Sequence, residues 1–304
     1  MITEAIDSYL SLRRAQGFVF RVQEKLIRSF ARFASERGED HIRTATVIEW
    51  ASESLSLGSR SRQLEIVVAF ARHLQLEEPR HEVPPPNVFG YRKTRRIPFI
   101  FTPEEIHRFI EAAATRLRPL DSLRPHTYGT LFALLVTTGL RIREARSLRF
   151  KDLTADGLLV LRTKFNKSRL VPLHETAMAG LERYLERRKR TAATDDHIFV
   201  SLRGRKLSYN VIAWTFHNLL KTAGLEQGRG GRRPRIHDLR NTFAVRALET
   251  CPEGRDNISR HMLALSTYMG HGSLRNTYWY LEATPHLMRD IAGACEAFLD
   301  GGAR

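Results

Sequence analysis

A chain of 304 residues is long enough for two domains of about 150 residues, each able to bury a core. Its 42% hydrophobic and 27% charged content excludes a disordered chain, a collagen and a disulfide-stapled miniprotein, and two cysteines, Cys251 and Cys295, make neither a disulfide framework nor a zinc site. Lys plus Arg number 49 against 33 Asp plus Glu, and the resulting +16 points to a polyanionic partner, nucleic acid before a membrane surface.

In chain order, the first eighty residues read as helices. Leu10 and Leu12 lead to Gly17; Val22, Leu26, Phe30 and Phe33 then recur at three- and four-residue steps, and Gly38 ends that run. Val47, Trp50 and Ala51 mark a third helix, and Leu64, Val67, Val68, Ala71 and Leu74 a fourth that opens near Ser59. Residues 1–83 therefore form a small helical bundle. Residues 84–98 follow as a stiff linker, Pro84-Pro85-Pro86 and then Arg92, Lys93, Arg95 and Arg96. Such a run suits a phosphate backbone; the alternative is a solvated interdomain loop.

A second domain, 99–304, opens with Thr102-Pro103-Glu104-Glu105, where Thr102 caps a helix, Pro103 takes its first position and Glu105 completes a capping box. Helices are expected near 103–115, 125–138, 175–190, 208–222, 237–250, 259–270 and 286–299. Leu158–Arg162 and Arg169–Leu173 read as a hairpin. The fold class is mainly α with a small β-hairpin sheet, a helical bundle followed by an α+β domain.

Four clusters carry chemistry. Thr137-Thr138-Gly139-Leu140-Arg141 turns the chain at Gly139 and opens a short helix at Arg141, with Glu144 three residues on and able to fix its guanidinium. An arginine at a helix start suits a phosphate. Thr163 through Leu173 places Lys164 and Lys167 at a hairpin tip, where an ammonium is either solvated or able to protonate a leaving oxygen. His237-Asp238-Leu239-Arg240 sets His237 and Arg240 on one helix face, after a basic loop containing Arg232 and Arg233. Met269-Gly270-His271 is followed by Tyr278 and Tyr280, two tyrosines about 200° apart around a helix.

Together these motifs resemble the tyrosine recombinase (phage integrase) family, strongly over residues 100–290. The family's Thr-Gly-Leu-Arg stands at Thr138–Arg141, its lysine hairpin at Thr163–Leu173, its His-Asp-Leu-Arg at His237–Arg240, and its Gly-His with a tyrosine nine residues on at His271 and Tyr280. Thr163 and Phe165 depart from the glycines that flank the family's lysine, which puts the turn shape in doubt. The resemblance selects Lys164 over Lys167 and Tyr280 over Tyr278. Residues 1–83 are similar to the family's core-binding (SAM-like) DNA-binding domain, and Thr277 through Pro285 is similar to integrases of transposon-type mobile elements.

The resemblance implies a site-specific DNA recombinase or integrase that works through a covalent 3′-phosphotyrosyl intermediate, without metal, ATP or any other cofactor. Catalytic roles fall to Arg141, Lys164, His237, Arg240, His271 and the nucleophile Tyr280, with Glu144 in support. Arg92, Lys93, Arg95, Arg96, Arg232 and Arg233 would contact double-stranded DNA. A homotetramer on DNA, with or without partner recombinases, is implied; the apolar stripe of the C-terminal helix suits docking on a neighbouring protomer or packing into its own domain. The rivals are a type IB topoisomerase, a catalytically inactive DNA-binding accessory protein and a metal-dependent nuclease. No apolar run approaches the roughly 18 residues that span a bilayer, and the acidic start lacks a signal peptide's basic region. A prokaryotic cytoplasm, at the nucleoid, is the expected location.

Overall fold

The structure, a computed structural model, describes residues 2–92, 96–117, 123–161, 168–191, 194–228, 231–250, 255–271, 273, 277 and 280. Outside them lie Lys93 and Arg95, the hairpin tip with Lys164 and Lys167, Tyr278, both cysteines and the helix expected at 286–299. The chain divides into two compact units, Met1–Arg96 and Ile97–Arg304. It is mainly helical with one small antiparallel sheet, the fold class expected. No helix among the described residues is long and apolar enough to cross a membrane.

The first unit contains α1 (Ile2–Ala15), α2 (Arg21–Ser35), α3 (Thr44–Ser52) and α4 (Leu57–Leu74). Their apolar faces meet around Tyr9, Phe30, Trp50, Val67 and Phe70, all buried. Two details differ from the sequence reading. The buried stripe of α2 is Ile27, Phe30, Ala31 and Ala34, whereas Val22 is 47% exposed and Leu26 and Phe33 are only partly covered. Arg37 lays its guanidinium 3.5 Å from the Phe33 ring centre, so that ring finds a cation at the surface in place of the core. The start of α4 is Leu57, two residues early, because the hydroxyl of Ser56 accepts the Ser59 backbone N–H.

The second unit begins its helices with α5 (Pro103–Arg116), whose capping box forms as read: Glu105 N–H donates to the Thr102 hydroxyl at 3.2 Å, and Thr102 N–H to the Glu105 carboxylate at 2.8 Å. Next comes α6 (Arg124–Thr138), which buries Leu131, Phe132, Leu134 and Leu135. It packs against α5, α8 (Glu175–Lys189) and α10 (Ile236–Glu249), and so forms the spine of the unit. Gly139 ends it at φ +58°, and a Cβ there would lie 2.5 Å from the Phe243 ring and 2.9 Å from Met269 Sδ. Only glycine meets both demands.

The four-residue α7 (Ile142–Ala145) follows, then the sheet of β1 (Leu153–Thr154), β2 (Gly157–Val160) and β3 (Arg169–Val171). Strand β1 adds an edge that the hairpin reading lacked. Pairing is antiparallel in the order β1-β2-β3, with Leu158 opposite Val171 and Val160 opposite Arg169. Alternation puts Leu158, Val160 and Val171 on the buried face. Helices α9 (Tyr209–Thr222), α10 and α11 (Arg255–Met269) complete the unit, α11 starting four residues before its expected position.

Candidate active site

Three stretches of chain meet where α6 ends, α10 begins and α11 ends. Arg141 stands just before α7, in extended backbone at φ −70° and ψ 142°. Its own N–H donates to Glu144 Oε2 at 2.9 Å, and its guanidinium donates to Glu144 Oε1 at 2.8 Å and to the Gly270 carbonyl at 3.0 Å. The Arg–Glu pairing read from the three-residue spacing is therefore present, and a main-chain carbonyl from 129 residues downstream fixes the other side of the fork.

Arg240 lies inside the first half of α10 and is only 2% exposed. A guanidinium so deep needs acceptors, and it finds the carbonyls of Gly139 and, at 2.6 Å, Met269. Burial, together with the neighbouring charge of Arg141, brings its pKa down to about 10 against the opposing pull of Tyr280 and Glu144, so it stays charged at neutral pH. Its Nη2 also lies 3.2 Å from His271 Nε2. Because arginine only donates, Nε2 is the acceptor, and the imidazole proton sits on Nδ1, 2.8 Å from the Thr277 hydroxyl.

The His271 ring stacks on Tyr280, with centres 6.0 Å apart and planes at 22°. Tyr280 is 3% exposed and packs with Ala244, Val245, Leu248, Met262 and Leu265. His237, in the first turn of α10, keeps an exposed edge. Crowding by protein and the charges of Arg240 and Arg141 lower its pKa to about 4. His271 is likewise lowered to about 4, by burial first and then by Arg240, Arg141 and Arg169. Both imidazoles are neutral at pH 7.

The sequence reading passed over Arg169. Opposite Val160 in the sheet and two residues from buried Val171, it points to the covered side. There Nη1 and Nη2 donate to the two oxygens of Glu144 at 3.1 and 2.8 Å, and Nε to the Tyr268 carbonyl at 2.8 Å. Burial alone would raise Glu144, but the bonds from Arg169 and Arg141 hold it down at about 2. The signal was in the alternation: Arg169 and Val171 occupy one face of β3, and a cation on a buried strand face requires an anion. Tyr268 stacks on Phe243, and burial lifts its pKa to about 12, which keeps that second hydroxyl protonated.

Of the expected DNA contacts, Arg92, Arg96, Arg232 and Arg233 are exposed. Among the described residues one cluster, Asp195, Asp196 and His197, has metal-ligand chemistry, with donor atoms within 4.8 Å. Its acceptors are already engaged: Asp195 receives the His197 and Lys206 backbone N–H groups, each at 2.9 Å, and Asp196 receives Arg149.

Arg141 and Arg169 hold the Glu144 carboxylate between them and Arg240 adds a third positive charge close by, so the cluster is primed for an anion. The neutral imidazole of His271 stacks on Tyr280, and that of His237 feels the same two guanidiniums, Arg240 and Arg141. Such a set can bind a phosphate diester, accept a phenolic proton and form a phosphotyrosine.

Comparison with known proteins agrees with this chemistry. The phage integrase family matches residues 100–286. An integrase/recombinase of Sinorhizobium fredii (strain NBRC 101917 / NGR234), y4rB, is 35% identical over 94% of this chain and 94% of its own. Tyrosine recombinase XerC of Pseudomonas syringae pv. tomato (strain ATCC BAA-871 / DC3000) is 26% identical over 79% of this chain and 74% of its own. Among solved structures, XerA recombinase superposes with a TM-score of 0.53 at 20% identity, covering 97% of this chain and 98% of its own. A lambda integrase tetramer bound to a Holliday junction gives 0.62 at 17% identity, over 92% of this chain and 77% of its own.

Proposed function

Since the chain belongs to the phage integrase family and is a tyrosine recombinase, we propose that it cuts and rejoins double-stranded DNA at specific sites, with Tyr280 as the nucleophile. The phenolic oxygen attacks the scissile phosphorus, the bond to the 5′ oxygen breaks, and a 3′-phosphotyrosyl link conserves the bond energy. Rejoining by the 5′ hydroxyl of a second strand then needs no ATP. Arg141 and Arg240 clamp the non-bridging oxygens, where negative charge builds during attack. Neutral His237 accepts the phenolic proton, and Lys164 protonates the departing 5′ oxygen.

His271 begins as a buttress for Arg240. Its donation to phosphate follows once the phosphate takes over that guanidinium N–H and the ring proton moves to Nε2. Arg92, Lys93, Arg95, Arg96, Arg232 and Arg233 bind the DNA backbone, and the first unit contributes core binding. Assembly is as a homotetramer on DNA, in the cytoplasm at the nucleoid.

One observation carries this reading: Arg141 and Arg240 donate to the adjacent carbonyls of Gly270 and Met269, Arg240 also meets His271, and Tyr280 stacks on that imidazole. The test uses nicked suicide duplexes from the DNA flanking the gene, run with protein on a denaturing gel. A covalent band that survives EDTA and is lost in Tyr280→Phe, while affinity for the duplex stays within about threefold because one hydroxyl adds little to a phosphate-dominated interface, supports it. An undiminished band in Tyr280→Phe overturns it.

A further inference from the structure

We propose that Arg169 is a positioning residue for strand cleavage, its guanidinium fixing Glu144 and the Gly270 turn and, through them, the orientation of Arg141. The inference rests on the proposed DNA-cleaving function and adds a residue to it.

The geometry is that of a shared clamp. Each oxygen of Glu144 receives one bond from Arg169 and one from Arg141: Oε1 from the two guanidiniums at 3.1 and 2.8 Å, Oε2 from the Arg169 guanidinium at 2.8 Å and the Arg141 backbone N–H at 2.9 Å. The carboxylate is thus bridged symmetrically, and rotation about its terminal bond would break contacts to both arginines.

The same two arginines grip a second point. Gly270 gives its carbonyl to Arg141, and its α-carbon abuts Arg169 so closely that a Cβ would stand 2.9 Å from Nη1. Nε of Arg169 holds the Tyr268 carbonyl two residues earlier. His271 follows directly. One guanidinium on β3 therefore ties α7 to the end of α11, the two places from which Arg141 draws its bonds.

An ion pair serving only stability tolerates replacement by apolar groups, and its loss shows as unfolding. A positioning role makes a narrower demand. Lysine keeps the charge of Arg169 but offers a point where the fork offers a plane, and it cannot serve both Glu144 oxygens and the Tyr268 carbonyl together.

The experiment is single-turnover cleavage of the suicide duplex at saturating protein by wild type, Arg141→Lys, Arg169→Lys and the double variant, with duplex affinity and melting temperature measured on each. For Arg169→Lys, cleavage falls about 10- to 100-fold, the scale of an ångström's misplacement. Its affinity stays within about threefold and its melting temperature within a few degrees. The double variant cleaves no more than about threefold slower than the worse single variant, because both changes disable one device. Losses that multiply would make the two residues independent and overturn the proposal. So would unimpaired cleavage, a proportional fall in affinity, or a collapse in melting temperature. Absence of covalent product from wild type would instead refute the function on which the inference rests.

Discussion

Replacing Glu144 by glutamine removes one negative charge from between two guanidiniums while keeping the side chain's shape. The carboxylate's fall from an ordinary 4.5 to about 2 corresponds to about 3 kcal/mol in favour of its charged form. With the side chain only 7% exposed, solvent does little to screen that figure. Because the folded value lies below the unfolded one, this stability is complete above pH 4.5 and drains away as the pH falls toward 2. Glu144→Gln should therefore cost about 3 kcal/mol at pH 7 and roughly half that at pH 3. Urea unfolding in a Trp50→Phe background, where Trp214 and Trp279 fluorescence reports on the second unit, measures both gaps. A gap that stays constant from pH 7 to pH 3 would refute the reasoning, since glutamine would then be disturbing packing and not charge.

Gly139→Ala should destabilise the second unit by about 2–5 kcal/mol, from the left-handed backbone and the collision with Phe243 and Met269. Calorimetry should show a melting transition about 5–15 °C lower; a shift under 2 °C would remove the steric argument. The imidazole carbon-bound protons of His237 and His271, followed by NMR, should titrate near pH 4, and a midpoint near 6.5 for either ring would show that the guanidiniums do not suppress its charge. Below pH 6.5 the unfolded chain takes up protons that these folded rings refuse, so their contribution also weakens stability toward acid. Thr102→Ala, which removes half of the α5 capping box, should cost about 1 kcal/mol in urea. DNA cleavage should be unchanged by it, and a large cleavage defect would mean that the start of α5 reaches the site.

What the sequence disclosed follows how locally each feature is encoded. The α5 cap needs only residues 102–105, and the pairing of Arg141 with Glu144 only one turn, so both were legible. The inner face of α2 was misjudged by part of a turn because apolar residues lie on both sides of it, and Phe33 is satisfied by Arg37 at the surface. Arg169 was hidden for another reason. Its partner stands 25 residues away, and a strand as short as β3 offers a single alternation from which to infer its face. Two of the acceptors of Arg240 were beyond any residue-type reading, for they are carbonyls that every amino acid carries.

That last point bears on how the molecule can change over time. Arg141 and Arg240 are moored to the peptide groups of Gly139, Met269 and Gly270, which no substitution deletes. Drift in the neighbouring side chains alters volume without erasing the moorings, provided that both turns keep their glycines. Arg232 and Arg233, by contrast, stand exposed at the surface. A lineage, or a laboratory selection, can therefore exchange many surrounding side chains while the main-chain anchorage of Arg141 and Arg240 is inherited intact.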